Sequence, residues 1–404
     1  MGEGETPIYT NPVADPAPLL DPRRMVTWLH EYRKPAPFDP EKPEIEIAMP
    51  ASRSELLVGC SRTAGCDVVV KNRGLGKAQF VFARTTDGAV VRAHPGSTNG
   101  IGANEHRQPV IQLVPGARFI AYAYPDDLEF VALSEAMVRE RPTLVELYGT
   151  TGERRVDDLM VEALGDAPIL VCGDPSCEPV RLASALHRIS YRPANEAVIV
   201  EAPREGTAAR PAADLVRATG SSTLIVNIGA DPTALEPNFR IMLFSASYPL
   251  RTILVADSFD VARSALGPFE RRVAAPWLLR PITRRPGDLL VLVDLELALR
   301  PNVEWRARDL TPENQRALRD YSFKRRVRED GEGGEQSFRH VIGLAALREL
   351  VTWMCAVQAA PSLRDAAAAL GIPRESFRSR WAATGLTEPL LRPESSAALL
   401  DTAK

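Results

Sequence analysis

The spacing of apolar residues changes twice along this chain, and each change marks a different kind of core. Over residues 44–134, short runs of strand length follow one another: EIEIAM, ELLVGC, DVVV, AQFVFAR, AVVRAH, RFIAYAY and EFVALS. Gly, Pro, Asn and Asp separate them, so the chain reverses every few residues, and a β-sandwich buries strands of that kind. Over residues 155–299, runs such as APILVC, AVIVEA, STLIVNI and RTILVA alternate with helical stretches. Strand–helix alternation predicts an α/β domain on a largely parallel sheet. After Pro301 the pattern turns helical, interrupted by DGEGGEQ at residues 330–336. Residues 300–358 and 359–404 therefore read as two helix-rich units. Residues 1–43 are proline-rich and aperiodic apart from one short amphipathic piece near residues 25–32, and read as a loose tail. Residues 135–154 read as a linker.

Composition narrows the functional classes. A net charge of −3 gives no whole-chain signal for nucleic acid, so any DNA contact must come from a local patch. Cys60, Cys66, Cys172, Cys177 and Cys355 are odd in number and contain no C-x-x-C pair, which points to a reduced, cytoplasmic setting. No apolar run approaches ~18 residues, so no membrane span is expected. His30, His94, His106, His187 and His340 are scattered without ligand-spaced partners, and no nucleophilic triad emerges. Neither metal nor cofactor is expected.

Residues 169–190, ILVCGDPSCEPVRLASALHRIS, carry the most chemical information. An apolar run ends at Cys172 and Gly173; Leu182, Ala183, Leu186 and Ile189 then recur at helical spacing. A phosphate-binding loop between such elements follows G-x-x-x-x-G-K-[ST]: glycines let backbone amides approach, lysine neutralises charge, and the hydroxyl holds magnesium. Here Glu178 stands at the second glycine, Pro179 at the lysine and Val180 at the hydroxyl. An acid and a missing N–H replace an anion site.

This segment resembles the AAA+ domain of bacterial enhancer-binding proteins, the activators of sigma-54 RNA polymerase. Their loop reads GExGxGKE before a helix ending A-[IL]-H-x-x-S, which Ala185, Leu186, His187 and Ser190 match. The resemblance implies an acidic motif, G-T-L-F-L-D-E, after a later strand. This chain has Ser222-Thr223-Leu224-Ile225-Val226-Asn227-Ile228, so both acids are lost at Asn227 and Ile228. The family's GAFTGA loop is absent from the interval between AVIV and STLIV. Residues 280–289, RPITRRPGDL, match the family's P-P-L-R-E-R-x-x-D-I at Pro281, Arg285 and Asp288, and residues 326–329 echo a lid motif in which Arg328 would sense nucleotide. A solvated charge on a helix is the competing reading of Arg328. Residues 300–358 would be the helical lid.

Residues 44–133 resemble a forkhead-associated (FHA) domain, an eleven-stranded sandwich that binds phosphothreonine peptides through loops at one end. Gly59, Asp67 and Ser97-Thr98-Asn99-Gly100 carry the resemblance. The family has Gly-Arg where this chain has Gly59-Cys60, with Arg62 two positions on. It has S-R-x-H where this chain has Gly76-Lys77-Ala78-Gln79. Arg62, Lys77, Ser97, Thr98 and Asn99 are the residues left for a phosphopeptide. An interaction module without phosphate dependence is the favoured alternative.

Residues 362–386, SLRDAAAALGIPRESFRSRWAATGL, predict a helix-turn-helix. Ser362 caps a helix with Leu363, Ala366, Ala367 and Leu370 inward; Gly371 makes the turn, and Pro373 fits the first turn of a second helix. Phe377 and Trp381, four apart, face the core. Arg374, Arg378 and Ser379 fall on another face, where a recognition helix meets the major groove. The segment resembles the Fis-type domain ending enhancer-binding proteins, A-A-x-x-L-G-I-x-R-x-x-[LF], at Ala366 or Ala367, Leu370, Gly371, Ile372, Arg374 and Phe377. That implies double-stranded DNA as a partner and a homodimer. An ordinary helical hairpin with a solvated arginine face is the alternative.

Together these readings predict a multidomain transcriptional regulator: an FHA-like sandwich taking a protein partner, a degenerate AAA+-like α/β core that does not hydrolyse ATP, and a C-terminal all-α helix-turn-helix. A divergent working ATPase, drawing a phosphate-binding cation from Arg181 or Arg188, is the enzymatic alternative. An FHA-type scaffold is the third.

Overall fold

The computed structural model describes residues 25–33, 44–72, 74–86, 88–150, 154–191, 196–204, 212–220, 222–233, 235–245, 250–321, 324–330 and 336–392. The chain divides into two compact units, residues 1–32 with 45–136 and residues 33–44 with 137–404.

The first unit holds eleven strands among the described residues: β1 Val26–Glu31, β2 Glu46–Ala48, β3 Glu55–Gly59, β4 Val68–Val69, β5 Phe80–Thr85, β6 Gly88–Ala93, β7 Ile101–Ala103, β8 His106–Gln108, β9 Val110–Leu113, β10 Arg118–Ala121 and β11 Leu128–Ser134. They form two sheets, β2-β1-β11-β10-β7-β8 and β4-β3-β5-β6-β9. Alternation along the strands fills the space between: Phe80 and Phe82, Ala89 and Val91, and Ile111 and Leu113 are buried with Phe119 and Phe130. Phe80, Phe119 and Phe130 pack with ring centroids 5.3 to 5.9 Å apart. The sandwich starts earlier than the periodicity predicts, because β1 lies between β2 and β11 instead of in a tail. A bulge between Val26 and Trp28 shifts its register, which destroys the period-two signal in the sequence.

In the second unit the predicted linker is a helix, α1 Glu135–Tyr148, which buries Leu144, Val145, Leu147 and Tyr148. After α2 Val156–Leu164 come β12 Ile169–Cys172, α3 Pro179–Ile189, β13 Val198–Glu201, α4 Ala212–Thr219, β14 Thr223–Gly229, α5 Pro237–Leu243, β15 Arg251–Ala256, α6 Phe259–Leu266 and β16 Trp277–Leu278. These strands pair in parallel in the order β13-β14-β15-β12-β16. Helices cover both faces, which explains the unbroken apolar runs of β12 and β15. The first strand in sequence, β12, sits between β15 and β16, so the chain leaves it toward one side of the sheet and returns on the other. Ligands of open parallel sheets lie at the carboxyl ends of strands at such a reversal.

Beyond the sheet lie α7 Leu289–Ala298, α8 Pro312–Asp320, β17 Lys324–Asp330, β18 Gln336–Ile342 and α9 Leu344–Ala359. The expectation of helix on both sides of residues 330–336 fails: β17 and β18 form an antiparallel ribbon. Arg328 therefore lies on a strand, opposite Phe338, and not on a helix. Cross-strand pairing decides the structure of a highly charged run that shows no apolar period of its own.

The C-terminal pair is α10 Leu363–Ala369 and α11 Arg374–Ala383. The Ser362 hydroxyl accepts from the Asp365 N–H as the helix cap, and Gly371 takes the left-handed turn with φ 66°. Pro373 sits just before α11, at its cap, one position earlier than predicted. Among the described residues no helix is long and apolar enough to cross a membrane.

Candidate functional site

The loop after β12 lies at the sheet reversal, where a phosphate would be held by free backbone amides. Four of its amides are already engaged. Gly173 N–H donates to Ala256 O at 2.9 Å, Cys177 N–H to Asp174 O at 2.8 Å and Glu178 N–H to Pro175 O at 3.0 Å. Ser176 N–H donates to the Asp174 carboxylate at 2.8 Å. Pro175 and Pro179 have no N–H to offer. Gly173 is required by proximity, since a Cβ there would lie 2.6 Å from Leu279 Cβ.

Glu178 adopts φ 55°, the left-handed turn a glycine takes freely. Its carboxylate accepts from Arg181 Nη1 at 2.9 Å and Arg348 Nη1 at 3.0 Å. Arg181 Nη2 also donates to Glu146 at 2.7 Å, and Arg348 reaches Glu146 through Nη2 and Glu296 through Nε at 3.2 Å. Two guanidiniums and three carboxylates from α1, the loop, α3, α7 and α9 thus close on one another. Burial would push the Glu178 carboxyl up, but hydrogen bonds from Arg181 and Arg348 hold it below the ordinary glutamate range. At Glu296 burial wins, reinforced by Glu146, and its carboxyl is raised.

The sequence flags Glu178, Pro179 and Val180. Nothing local flags Arg348, Glu146 or Glu296, which meet the loop only through the tertiary fold. Arg181 and Arg188, the cations a working ATPase would draw on, are paired with carboxylates; Arg188 Nη2 donates to Glu140 at 2.7 Å.

At the end of β14, Asn227 donates to both oxygens of Glu201 at 2.9 and 3.1 Å, while Ile228 is buried in the apolar core. Position 228 thus faces packing, not a ligand. Asp257, just after β15, is raised first by burial and then by Asp174, so carboxylates also crowd this edge of the sheet. Arg285 and Asp288 pin the end of α1. The Arg285 guanidinium donates twice to Glu146 O at 3.2 Å, and Asp288 accepts from Thr150 N–H at 3.0 Å and its hydroxyl at 2.6 Å. His187 hydrogen-bonds Thr223 Oγ1 at 2.9 Å, where Arg251 also donates, which makes it a tie between α3 and the sheet.

In the sandwich, the loops that carry the FHA resemblance are laced together. Gly59 is required because a Cβ would meet Lys77 O at 2.2 Å. Asp67 accepts from Leu57 N–H at 2.8 Å and from Arg53. Gln79, fully buried, donates to Gly100 O at 2.7 Å and Tyr122 O at 3.2 Å, and accepts from Gly76 N–H at 2.8 Å and the Ser97 hydroxyl at 3.3 Å. Gln79 therefore braces these loops from the position where the FHA pattern has histidine, which comparison of motif letters misses. Ser97 Oγ also accepts from Gly100 N–H at 3.1 Å, and Asn99 Nδ2 donates to Gly74 O at 3.0 Å. Arg62, Lys77 and Thr98 are exposed.

In the C-terminal pair, Phe377 and Trp381 are buried, their rings stacked at 6.1 Å, with Trp353 of α9 edge-on to Phe377 at 5.8 Å. Arg374, Arg378 and Ser379 are exposed on α11.

No protein-family model matches the chain, and no curated protein matches it in sequence. Among solved structures it is similar over 27% of its length to Rv1747 FHA-1 of Mycobacterium tuberculosis, with 20% identity, 98% of that chain covered and a TM-score of 0.20. The P-loop NTPase domain of a sigma-54 activator from E. coli is 18% identical over 30% of this chain and 90% of its own, with a TM-score of 0.24. NtrX from Brucella abortus, in complex with ADP, is 12% identical over 62% of this chain and 68% of its own, with a TM-score of 0.28. Likenesses at these scores define no activity for this chain.

Proposed function

We propose that the chain is a DNA-binding transcriptional regulator related to sigma-54 activators, whose AAA+-like core does not hydrolyse ATP. The observation that carries this reading is α11 itself: its aromatic side is buried on α9 and its other side leaves Arg374, Arg378 and Ser379 exposed. That is the disposition of a helix that meets a major groove, where an arginine can contact guanine or phosphate. Double-stranded DNA is the partner, and a homodimer presents two such helices to a two-fold site.

The loop's own hydrogen bonds and charges support the reading of an inert core. Four of its amides are occupied, two of its residues are prolines, and its cations are matched by Glu146 and Glu178. A triphosphate would have to displace a carboxylate and break backbone bonds for little return. The enzymatic alternative has no free cation to draw on in Arg181 or Arg188.

The sandwich takes a protein partner. Ser97 and Asn99 spend their hydrogen-bonding groups on the loops, which favours recognition that does not depend on phosphothreonine. Arg62, Lys77 and Thr98 are the contacts a phosphorylated partner would use.

Retention of duplex fragments by the full chain tests the reading. Wild-type protein selects a sequence, and Arg374→Ala with Arg378→Ala weakens that binding about 10- to 100-fold while affinity falls with salt. No sequence-selective retention, or a double variant equal to wild type, overturns DNA binding. Magnesium-dependent ATP turnover abolished by a substitution in residues 173–180 overturns the inert core.

A further inference from the structure

We propose that Arg348 couples the loop at residues 173–178 to the DNA-binding helix α11, so that charge at the loop governs how firmly that helix is held. The proposal rests on the DNA-binding reading for its function, and on the following geometry for its mechanics. The fork of Arg348 spans three elements: Nη1 to Glu178 of the loop at 3.0 Å, Nε to Glu296 of α7 at 3.2 Å, and Nη2 to Glu146 of α1. The backbone at the same turn is also fastened. Arg300 Nη2 donates to Arg348 O at 3.1 Å and Thr352 Oγ1 at 2.8 Å, and Thr352 Oγ1 donates to Arg348 O at 2.7 Å.

Five residues farther along α9, Trp353 meets Phe377 of α11. At about 100° per residue, Arg348 and Trp353 lie roughly 140° apart around the helix, so one side grips the loop's junction and another supports α11. Both lie within one continuous 16-residue helix, and a tilt at Arg348 is transmitted through Trp353 to Phe377.

Charge count predicts an order of effects. Glu178→Gln leaves two cations and two carboxylates, removing the charged ties to Arg181 and Arg348 without an imbalance. Arg348→Met leaves Glu146, Glu178 and Glu296 with Arg181 as the guanidinium still bonded to their carboxylates, a half-buried excess of negative charge that Arg300 beside Glu296 and Arg285 beside Glu146 offset only in part. Arg348→Lys keeps the charge but loses the fork and falls between wild type and Arg348→Met.

Hydrogen exchange on the full chain, read amide by amide, is the test. The control is Leu254→Ala, which removes a buried side chain from the parallel sheet. In Glu178→Gln, the amides of α9 and α11 exchange about tenfold faster, and more so in Arg348→Met, while Leu254→Ala produces no such local change. Retention of duplex DNA by the same proteins falls in the same order. Wild-type exchange across α11 in Glu178→Gln, or equal acceleration there in Leu254→Ala, overturns the coupling. Altered exchange in a chain that retains no DNA upholds the coupling and removes the DNA-binding reading.

Discussion

Glu178 and Glu296 share Arg348 yet respond to pH in opposite senses. Glu178 is held low by its arginines, so it stabilises the fold above the ordinary glutamate pKa, and that contribution is lost as pH falls through its folded value. Glu296 is raised by burial and by Glu146, so its contribution is present in acid and lost as pH rises through its folded value. Thermal melts will therefore show Glu178→Gln less stable than wild type at neutral pH. Glu296→Gln will be more stable there, and its advantage will disappear below about pH 4. Gln79 gives a second residue-scale prediction. Gln79→Ala leaves Gly76 N–H, Gly100 O and Tyr122 O without their partner, and costs about 2–4 kcal/mol in denaturant unfolding of the sandwich. The same side chain shows the limit of motif letters: the position reads as a lost histidine, although the brace is kept by different chemistry.

Among the elements, those with strong internal periods were legible. The four long strands of the parallel sheet and the pair α10 and α11 lie where apolar spacing puts them, because each buries a face fixed by its own sequence. Elements whose order comes from a neighbour were not. The bulge in β1 scrambles its alternation, α1 looks like a connection because its Glu140 and Glu146 meet Arg188, Arg181 and Arg348 through the tertiary fold, and the ribbon of β17 and β18 is made by pairing. The aromatic contact under α11 gives the test at this scale. Phe377→Ala removes a fully buried ring and costs about 3–5 kcal/mol, read as early melting of the C-terminal helices. Ser362→Ala, which removes only a cap, costs about 1 kcal/mol.

For the whole molecule, the departures from a phosphate-binding pattern were legible at Glu178, Pro179, Val180 and Asn227, but the contacts these positions make in the fold were not. Arg348 lies 170 residues from Glu178 and 202 from Glu146, separations at which sequence spacing carries no information. The fold closes the loop on charges of its own, and the proposed reading is that such a core holds its helices in place without turning over a nucleotide. Calorimetric titration of the full chain with magnesium and ATP tests this most directly. The expected result is no saturable heat; a saturable isotherm that disappears in Arg181→Ala would contradict it.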